Sequence, residues 1–376
     1  MISKDILKQV LATNQNDIKN YKIVPRALPS DDFTCRVFVG VRRAGKSFML
    51  YQKIQQLLAL GHSWDEMLYL NFEDDRLAQF DSSDFELILE AHAEMYGKRP
   101  MLFLDEIQNI EGWEKFARRL ADAKYYVWVT GSNAKMLSSE VMTTLGGRYL
   151  ATEVYPYDFR EFLKIQNIAY DEISLLATES RAMVLRAWNE YLLWGGLPES
   201  VGLAVKRDYL SSTFQKIYLG DIASRNKIAN PNILRLMLKK LAENYEDNTT
   251  ALGLNVDMLY SDLKLYGLYF EAMCERDLSI YIESIGGKLF HYRDHNNREV
   301  DAVAELPDGR YALFEIKLGT REIESAAENL IKIRDIWKSK GIDRMPEFMC
   351  IICGMSNAAY RRSDGIFVVP ITALGP

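Results

Sequence analysis

Between Thr34 and Pro156 two textures alternate along the chain. Five short runs, CRVFVG, MLYLNFE, MLFLDEI, YYVWVTGS and RYLATEVY, are rich in apolar and β-branched residues. Most are near-continuously apolar, the pattern of strands covered on both faces. Stretches with apolar positions at helical spacing separate several of them, among them KSFMLYQKIQQLLALG and WEKFARRLADA. Strand and helix in alternation predict a parallel sheet sandwiched by helices. The first 30 residues read as a polar amphipathic helix and an extended lead-in, with Pro25 and Pro29 closing off further helix.

From Asp158 to Tyr266 the spacing is mostly helical, as in RAMVLRAWNEYLLWGG and PNILRLMLKKLAENY, and WGGLPES is a Gly-Pro break between helices. Beyond Gly267, GLYFEAMCERDLSIYIESIGG predicts a helix. GKLFHYRD, EVDAVAEL, YALFEIKLG, FMCIICG and GIFVVPI predict strands, with the helix REIESAAENLIKIRDIWKSKG between the third and fourth. The expected organisation is a lead-in over 1–30, an α/β domain over 31–156, a helical region over 157–266 and a smaller α/β domain over 267–376.

Composition narrows the class without naming it. A chain of 376 residues has room for two or three domains at roughly 150 residues each. With 48% hydrophobic and 26% charged residues it is ordinary for globular proteins, against a disordered or coiled-coil chain. Acidic residues outnumber basic ones, 52 to 46, for a net charge of −6. That argues against a strongly basic shell for nucleic acid and leaves room for a local basic groove. No apolar run approaches the roughly 20 residues that span a bilayer, and the start of the chain lacks a signal peptide's apolar stretch. Four cysteines make no disulfide framework. The expectation is a soluble, cytoplasmic protein with reduced thiols and no membrane partner. Cys350-Ile351-Ile352-Cys353 fits C-x-x-C, but on a strand residues three apart face opposite sides, so the thiols diverge.

The segment Gly40-Val41-Arg42-Arg43-Ala44-Gly45-Lys46-Ser47 fits G-x-x-x-x-G-K-[ST], after the strand CRVFV and before the helix SFMLYQKIQQLL. That context separates it from a chance Gly-rich turn. Glycines permit a tight loop whose amides face a phosphate, and a helix N-terminus adds positive potential. Gly40, Arg42, Arg43, Ala44, Gly45, Lys46, Ser47 and Phe48 are the residues expected around the nucleotide. Lys46 would reach the β- and γ-phosphates and Ser47 would bind Mg²⁺. ATP and Mg²⁺ are thus the expected ligands.

MLFLDEI adds two acids at the carboxyl end of a buried strand, where ligands bind in open α/β sheets. Asp105 is expected on the metal and Glu106 as the base that polarises the attacking water. YYVWVTGSNA ends in polar residues, so Ser132 or Asn133 is expected to sense the γ-phosphate. Arg148, in LGGRY, is expected to begin the fifth strand, either as an arginine finger serving a neighbouring subunit or as a surface ion pair.

These motifs together resemble the bacterial and archaeal AAA-type ATP-binding proteins, in which an AAA ATPase precedes a helical region and a nuclease-like domain. The resemblance is carried by GVRRAGKS, LYLNFEDDRL, LFLDEIQNI, GWEKF, VTGSNAKMLS, LGGRY, YPYDFREFL, GGLPE, EVDAV and FEIKLG, and covers the chain after its first 30 residues. It implies a P-loop NTPase of the AAA/ASCE type, and a winged-helix-like unit after GGLPE, part of it within ENYEDNTTALGLNVDMLYSDLKLYG. It also implies a C-terminal domain similar to restriction endonucleases. DNA and a protein partner are both compatible with it, as are a monomer and a homo-oligomer.

In the C-terminal domain, Asp301 lies in one predicted strand and Glu315 and Lys317 in the next. Residues two apart on a strand share a face. A hairpin at PDG would bring Asp301 beside them. Two carboxylates and a lysine on one face can hold Mg²⁺ and position a water for phosphodiester attack. The set resembles the PD-(D/E)XK nuclease core. Glu271 in the preceding helix matches that core's additional acid, and Glu275 lies one turn on. Chemistry in such domains is not guaranteed by shape. The alternative is therefore an ATP-dependent switch whose nuclease-like domain is inactive and binds a partner.

Overall fold

The computed structural model describes residues 2–29, 34–132, 143–169, 177–214, 262–341, 344–356 and 358–375. The chain divides into two compact units, Met1–Pro156 and Tyr157–Pro376. Asn133, the predicted helix PNILRLMLKKLAENY and most of the winged-helix-like stretch, up to residue 261, lie outside the described residues.

The first unit is built on a parallel sheet. Strands β1 (Cys35–Gly40), β2 (Met67–Asn71), β3 (Met101–Asp105), β4 (Val127–Ser132) and β5 (Leu150–Glu153) take the order β2-β3-β4-β1-β5. Helices α1 (Lys4–Asn20), α2 (Lys46–Ala59), α3 (Phe85–Tyr96) and α4 (Trp113–Asp122) cover it. Alternate strand residues enter different cores, as the period of two requires. Val37, Val39, Leu102, Leu104, Val127 and Val129 pack with α3 and α4 residues such as Phe85, Ile88 and Phe116. Phe38, Phe103 and Trp128 pack with Leu50, Ile54 and Leu57 of α2. Each of these fully buried side chains contributes roughly 1.5–3 kcal/mol. Helix α1 supplies Leu7, Val10 and Leu11 to one core and Ile18 to the other, and it packs against edge strand β2. Ser3 caps its N-terminus by accepting from the Ile6 amide.

The lateral order places β4 between β3 and β1. Gly40 is in register with Ser132, Asn71 with Asp105, and Leu104 with Val129. The carboxyl ends of three strands therefore converge.

The second unit begins with α5 (Phe159–Ile165), α6 (Thr178–Trp194) and two short helices, α7 (Pro198–Val201) and α8 (Lys206–Thr213). Gly195 and Pro198 form the expected break between α6 and α7. The long helix α9 (Leu263–Ser284) leads into β6 (Lys288–Arg293), β7 (Glu299–Glu305) and β8 (Tyr311–Lys317), an antiparallel meander. Helix α10 (Ile323–Ser339) then crosses to β9 (Phe348–Cys353), parallel to β8, and β10 (Tyr360–Arg361) and β11 (Phe367–Val369) complete the order β10-β11-β9-β8-β7-β6. One face packs on α6 and α9, the other on α10. Cys350 and Cys353 belong to these opposite cores, so the C-x-x-C thiols do diverge. All four cysteines are free and buried. No helix among the described residues is long and apolar enough to cross a membrane.

Candidate functional site

In the first unit, the loop after β1 is shaped by its glycines. A Cβ on Gly40 would collide with the Val154 carbonyl oxygen, so only glycine fits where β1 passes the end of β5. Gly45 takes φ 98°, a left-handed conformation, and caps α2 without a side-chain hydrogen bond. The first amides of α2 thus stay available to an anion at the helix mouth. Arg43 is also left-handed, with φ 65°. The Arg42 guanidinium lies 3.8 Å from Glu73.

Lys46 turns back into this loop and is 4% exposed. Its Nζ donates to the carbonyls of Gly40 (3.3 Å) and Val41 (3.2 Å), and stands 3.4 Å from Glu106 Oε1. Asp105 is wholly buried at the tip of β3. It accepts from Tyr69 Oη at 2.7 Å, from the Thr130 hydroxyl and from Ser47. Burial pushes its carboxyl above the usual range, and those three donors oppose the shift. Tyr69 in turn lies 3.1 Å from the hydroxyl of Tyr51 on α2. Glu106 sits at φ 49°, a conformation that costs a non-glycine residue about 1 kcal/mol or more. Its amide donates to Thr130 Oγ1 at 2.9 Å and its carboxylate accepts from Gln108. Glu73 is exposed nearby, and desolvation, then the Glu106 charge, raises its carboxyl.

Lys46, Ser47, Asp105 and Glu106 are therefore brought together as the motifs imply. Phe48 is 45% exposed, packed on Tyr51 and Tyr21 at ring distances of 5.2 and 5.8 Å. Ser132 reaches the same sheet edge by its backbone register with Gly40. Thr130 was not among the expected residues, yet it ties both acids to β4. The signal was its place as the one polar residue inside YYVWVTG. Arg148 stands elsewhere. It precedes β5 rather than beginning it, and its guanidinium pairs with Asp122 at the end of α4. Leu150 is in register with Arg36, near the amino end of β1, whereas the phosphate loop leaves the carboxyl end. At about 3.3 Å per residue, Arg148 does not reach this chain's own loop.

Mg²⁺ binds oxygen ligands and keeps several waters, needing only one or two carboxylates beside the phosphates. Ser47 and Asp105 are a donor set of that kind, and a buried lysine beside helix amides that no side chain caps suits a triphosphate. The residues present fit both ligands.

The second unit holds the other constellation. Phe290 pairs with Val303 and Tyr292 with Val300, so β7 carries an extra residue where Asp301 lies. Such bulges re-aim side chains. Asp301 Oδ2 accepts the Ile316 amide at 2.7 Å and Lys317 Nζ at 2.8 Å. Lys317 also pairs with Glu315 at 2.6 Å, and Glu315 accepts from Asn329 of α10 at 2.7 Å. Burial, then the Asp301 charge, raises the Glu315 carboxyl. Burial alone would lower Lys317, but the two acids hold its ammonium above the usual lysine value. The carboxyls of Glu271 and Glu275 on α9 are both raised, by burial and then by the Asp301 charge. Glu271 and Lys317 line a pocket of about 1040 Å³ with Lys264 and Arg321. The acids as they stand are bridged by lysine. Among the described residues no three or more His, Cys, Asp and Glu side chains converge as metal ligands.

A phosphate loop on β1, paired acids on β3 and a β4 strand inserted between them define the first unit as an AAA-type P-loop fold of the ASCE order. Residues 33–163 match the family described as an AAA domain, and residues 266–374 match a domain of unknown function, DUF4143. The chain thus carries a match to an AAA domain followed by a match to DUF4143, a pairing also consistent with its similarity to uncharacterised prokaryotic proteins. MJ1544 of Methanocaldococcus jannaschii is 33% identical over 246 residues, 63% of this chain and 53% of the relative. A Haemophilus influenzae protein is 36% identical over 214 residues, 56% of this chain and 51% of the relative. The chain spans about half the length of these curated relatives. Among solved structures, AMPPCP-bound DnaA from Aquifex aeolicus is 14% identical, with 73% of this chain and 80% of that chain covered and a TM-score of 0.30.

Proposed function

We propose that the first unit binds ATP with Mg²⁺ and hydrolyses it, and that the second unit carries a nuclease-like site that this cycle governs. The observation that carries the ATPase reading is the convergence of buried Lys46, Asp105 and Glu106 at one sheet edge. Lys46 and the first α2 amides hold the triphosphate, and Ser47 and Asp105 hold the metal. Bound Mg²⁺ supplies charge neutralisation on the phosphate oxygens. Glu106 accepts a proton from the attacking water. Ser132 or Asn133 is the proposed sensor. Arg148, partly buried against Asp122 toward the amino end of β1, serves as a finger only toward a neighbouring copy.

For the second unit, support comes from the αβββαβ run of α9, β6–β8, α10 and β9, with Asp301, Glu315 and Lys317 on adjoining strands. DNA is the substrate proposed. The lysine bridge favours a second reading, a partner-binding module without cleavage. Phosphate release by the wild type and its loss in Glu106→Gln test the first unit. Incubating linear, circular and single-stranded DNA with Mg²⁺ or Mn²⁺ tests the second. Cleavage that vanishes in Asp301→Ala supports a nuclease, and its absence with every substrate supports the partner module.

A further inference from the structure

Gln108 lies in the short 3-10 turn Ile107–Asn109 that follows Glu106, and its side chain is more than nine-tenths buried. Its Nε2 donates to Glu106 Oε2. A carboxylate only accepts, so the amide must turn its nitrogen toward Glu106. The amide's own oxygen, Oε1, is buried without a partner among the described residues. Burying an amide is costly unless its groups are paired. Here the hydrogen bond recovered goes to the proposed catalytic base, and none found among the described residues serves the fold elsewhere.

The two oxygens of Glu106 are thereby made unequal. Oε2 is taken by Gln108, while Oε1 faces the Lys46 ammonium 3.4 Å away, on the side where the phosphates are held. The terminal torsion of a glutamate is broad, so nothing in the side chain itself selects one oxygen. The backbone of Glu106 is already fixed by its left-handed φ and by the Thr130 hydroxyl. Within the side chain, the Gln108 contact at Oε2 restrains the terminal torsion.

We propose that Gln108 is a positioning residue for hydrolysis, holding Oε2 so that Oε1 is the oxygen presented to the attacking water. This rests on the reading of the first unit as a hydrolysing ATPase. Gln108 acts through Glu106, the partner to which its side chain donates.

The test is a double-mutant cycle on the full chain, with wild type, Gln108→Leu, Glu106→Gln and the double variant. Single-turnover ATP hydrolysis, affinity for a fluorescent ATP analogue and thermal melting are read for each. Gln108→Leu is expected to lower the hydrolysis rate about 10-fold or more, with affinity within about twofold and no loss of melting temperature. In the Glu106→Gln background the same change is expected to have almost no further effect, a non-additivity that a merely structural glutamine would not produce. Should the leucine variant fail to fold, Gln108→Met, closer in shape, replaces it in the cycle. A rate unchanged in the single variant, or an equal further loss in the Glu106→Gln background, overturns the proposal while leaving the ATPase intact. A wild type that binds the analogue but never hydrolyses ATP overturns the ATPase reading and this inference together.

Discussion

The Nζ of Lys46 stands 3.4 Å from Oε1 of Glu106, both side chains almost fully withdrawn from solvent. A buried cation and anion at this distance offset each other's desolvation, and removing either leaves the other exposed to the full cost. Bringing phosphates to Lys46 therefore also changes the surroundings of the base.

From that pairing, Lys46→Ala is expected to weaken ATP affinity by about 10- to 100-fold, the worth of a charge-assisted contact. Glu106→Gln is expected to keep affinity near wild type and lower turnover by about 10²-fold or more. Titration with a fluorescent nucleotide and phosphate-release assays separate the two. Unchanged affinity in Lys46→Ala would sink the nucleotide site.

Thr130 bonds both acids, giving its proton to Asp105 and accepting the Glu106 amide. Thr130→Val keeps the shape and leaves two buried polar groups without that partner. Each such loss costs about 1–3 kcal/mol. Urea unfolding is expected to show destabilisation within that range, together with slower hydrolysis, and Thr130→Ser is expected to restore both. A valine variant of full stability and rate would show that Thr130 only fills space.

Asp277 of α9 is fully buried, with Tyr191 Oη donating to it at 2.8 Å and the Phe159 amide at 3.2 Å. Desolvation pushes its carboxyl up to about 7, against an opposing pull from Arg276. The folded chain thus keeps a proton that the unfolded chain releases near the ordinary carboxylate value. Between those two values the native state binds more protons, so this group's contribution to stability falls as pH rises and levels off above about 7. Asp277→Asn is expected to flatten that part of the pH dependence. Urea melts at pH 5 and pH 8 on both proteins check it, and an unchanged slope in the variant would contradict the assignment.

Lys317 neutralises both Asp301 and Glu315. Lys317→Met is expected to destabilise the second unit by about 3 kcal/mol, since two buried carboxylates then face each other. Adding Glu315→Gln is expected to return part of that loss. Chemical denaturation of the two variants provides the comparison, and additive losses would mean that the ammonium is not what holds the acids together.

Several features were legible because they are local. The G-x-x-x-x-G-K-S loop, the apolar run ending in Asp105 and Glu106, and the alternation that separates Cys350 from Cys353 all follow from residue types and the periods of strand and helix. Glu315 and Lys317 share a face for the same reason. The family resemblance added the AAA fold, which the domain match supports.

What the chain alone could not determine is which strands lie side by side. Periodicity marks a strand but carries no information about its neighbour, because pairing depends on backbone hydrogen bonds between segments far apart in sequence. The insertion of β4 between β3 and β1 is therefore a tertiary outcome, and it alone brings Thr130 between Asp105 and the Glu106 amide. The same long-range pairing sends Arg148 to the opposite end of the sheet from Lys46, although LGGRY follows the sensor segment closely in sequence. In the second unit the extra residue in β7 decides how Asp301 meets Ile316 and Lys317, a register shift set by strand partners.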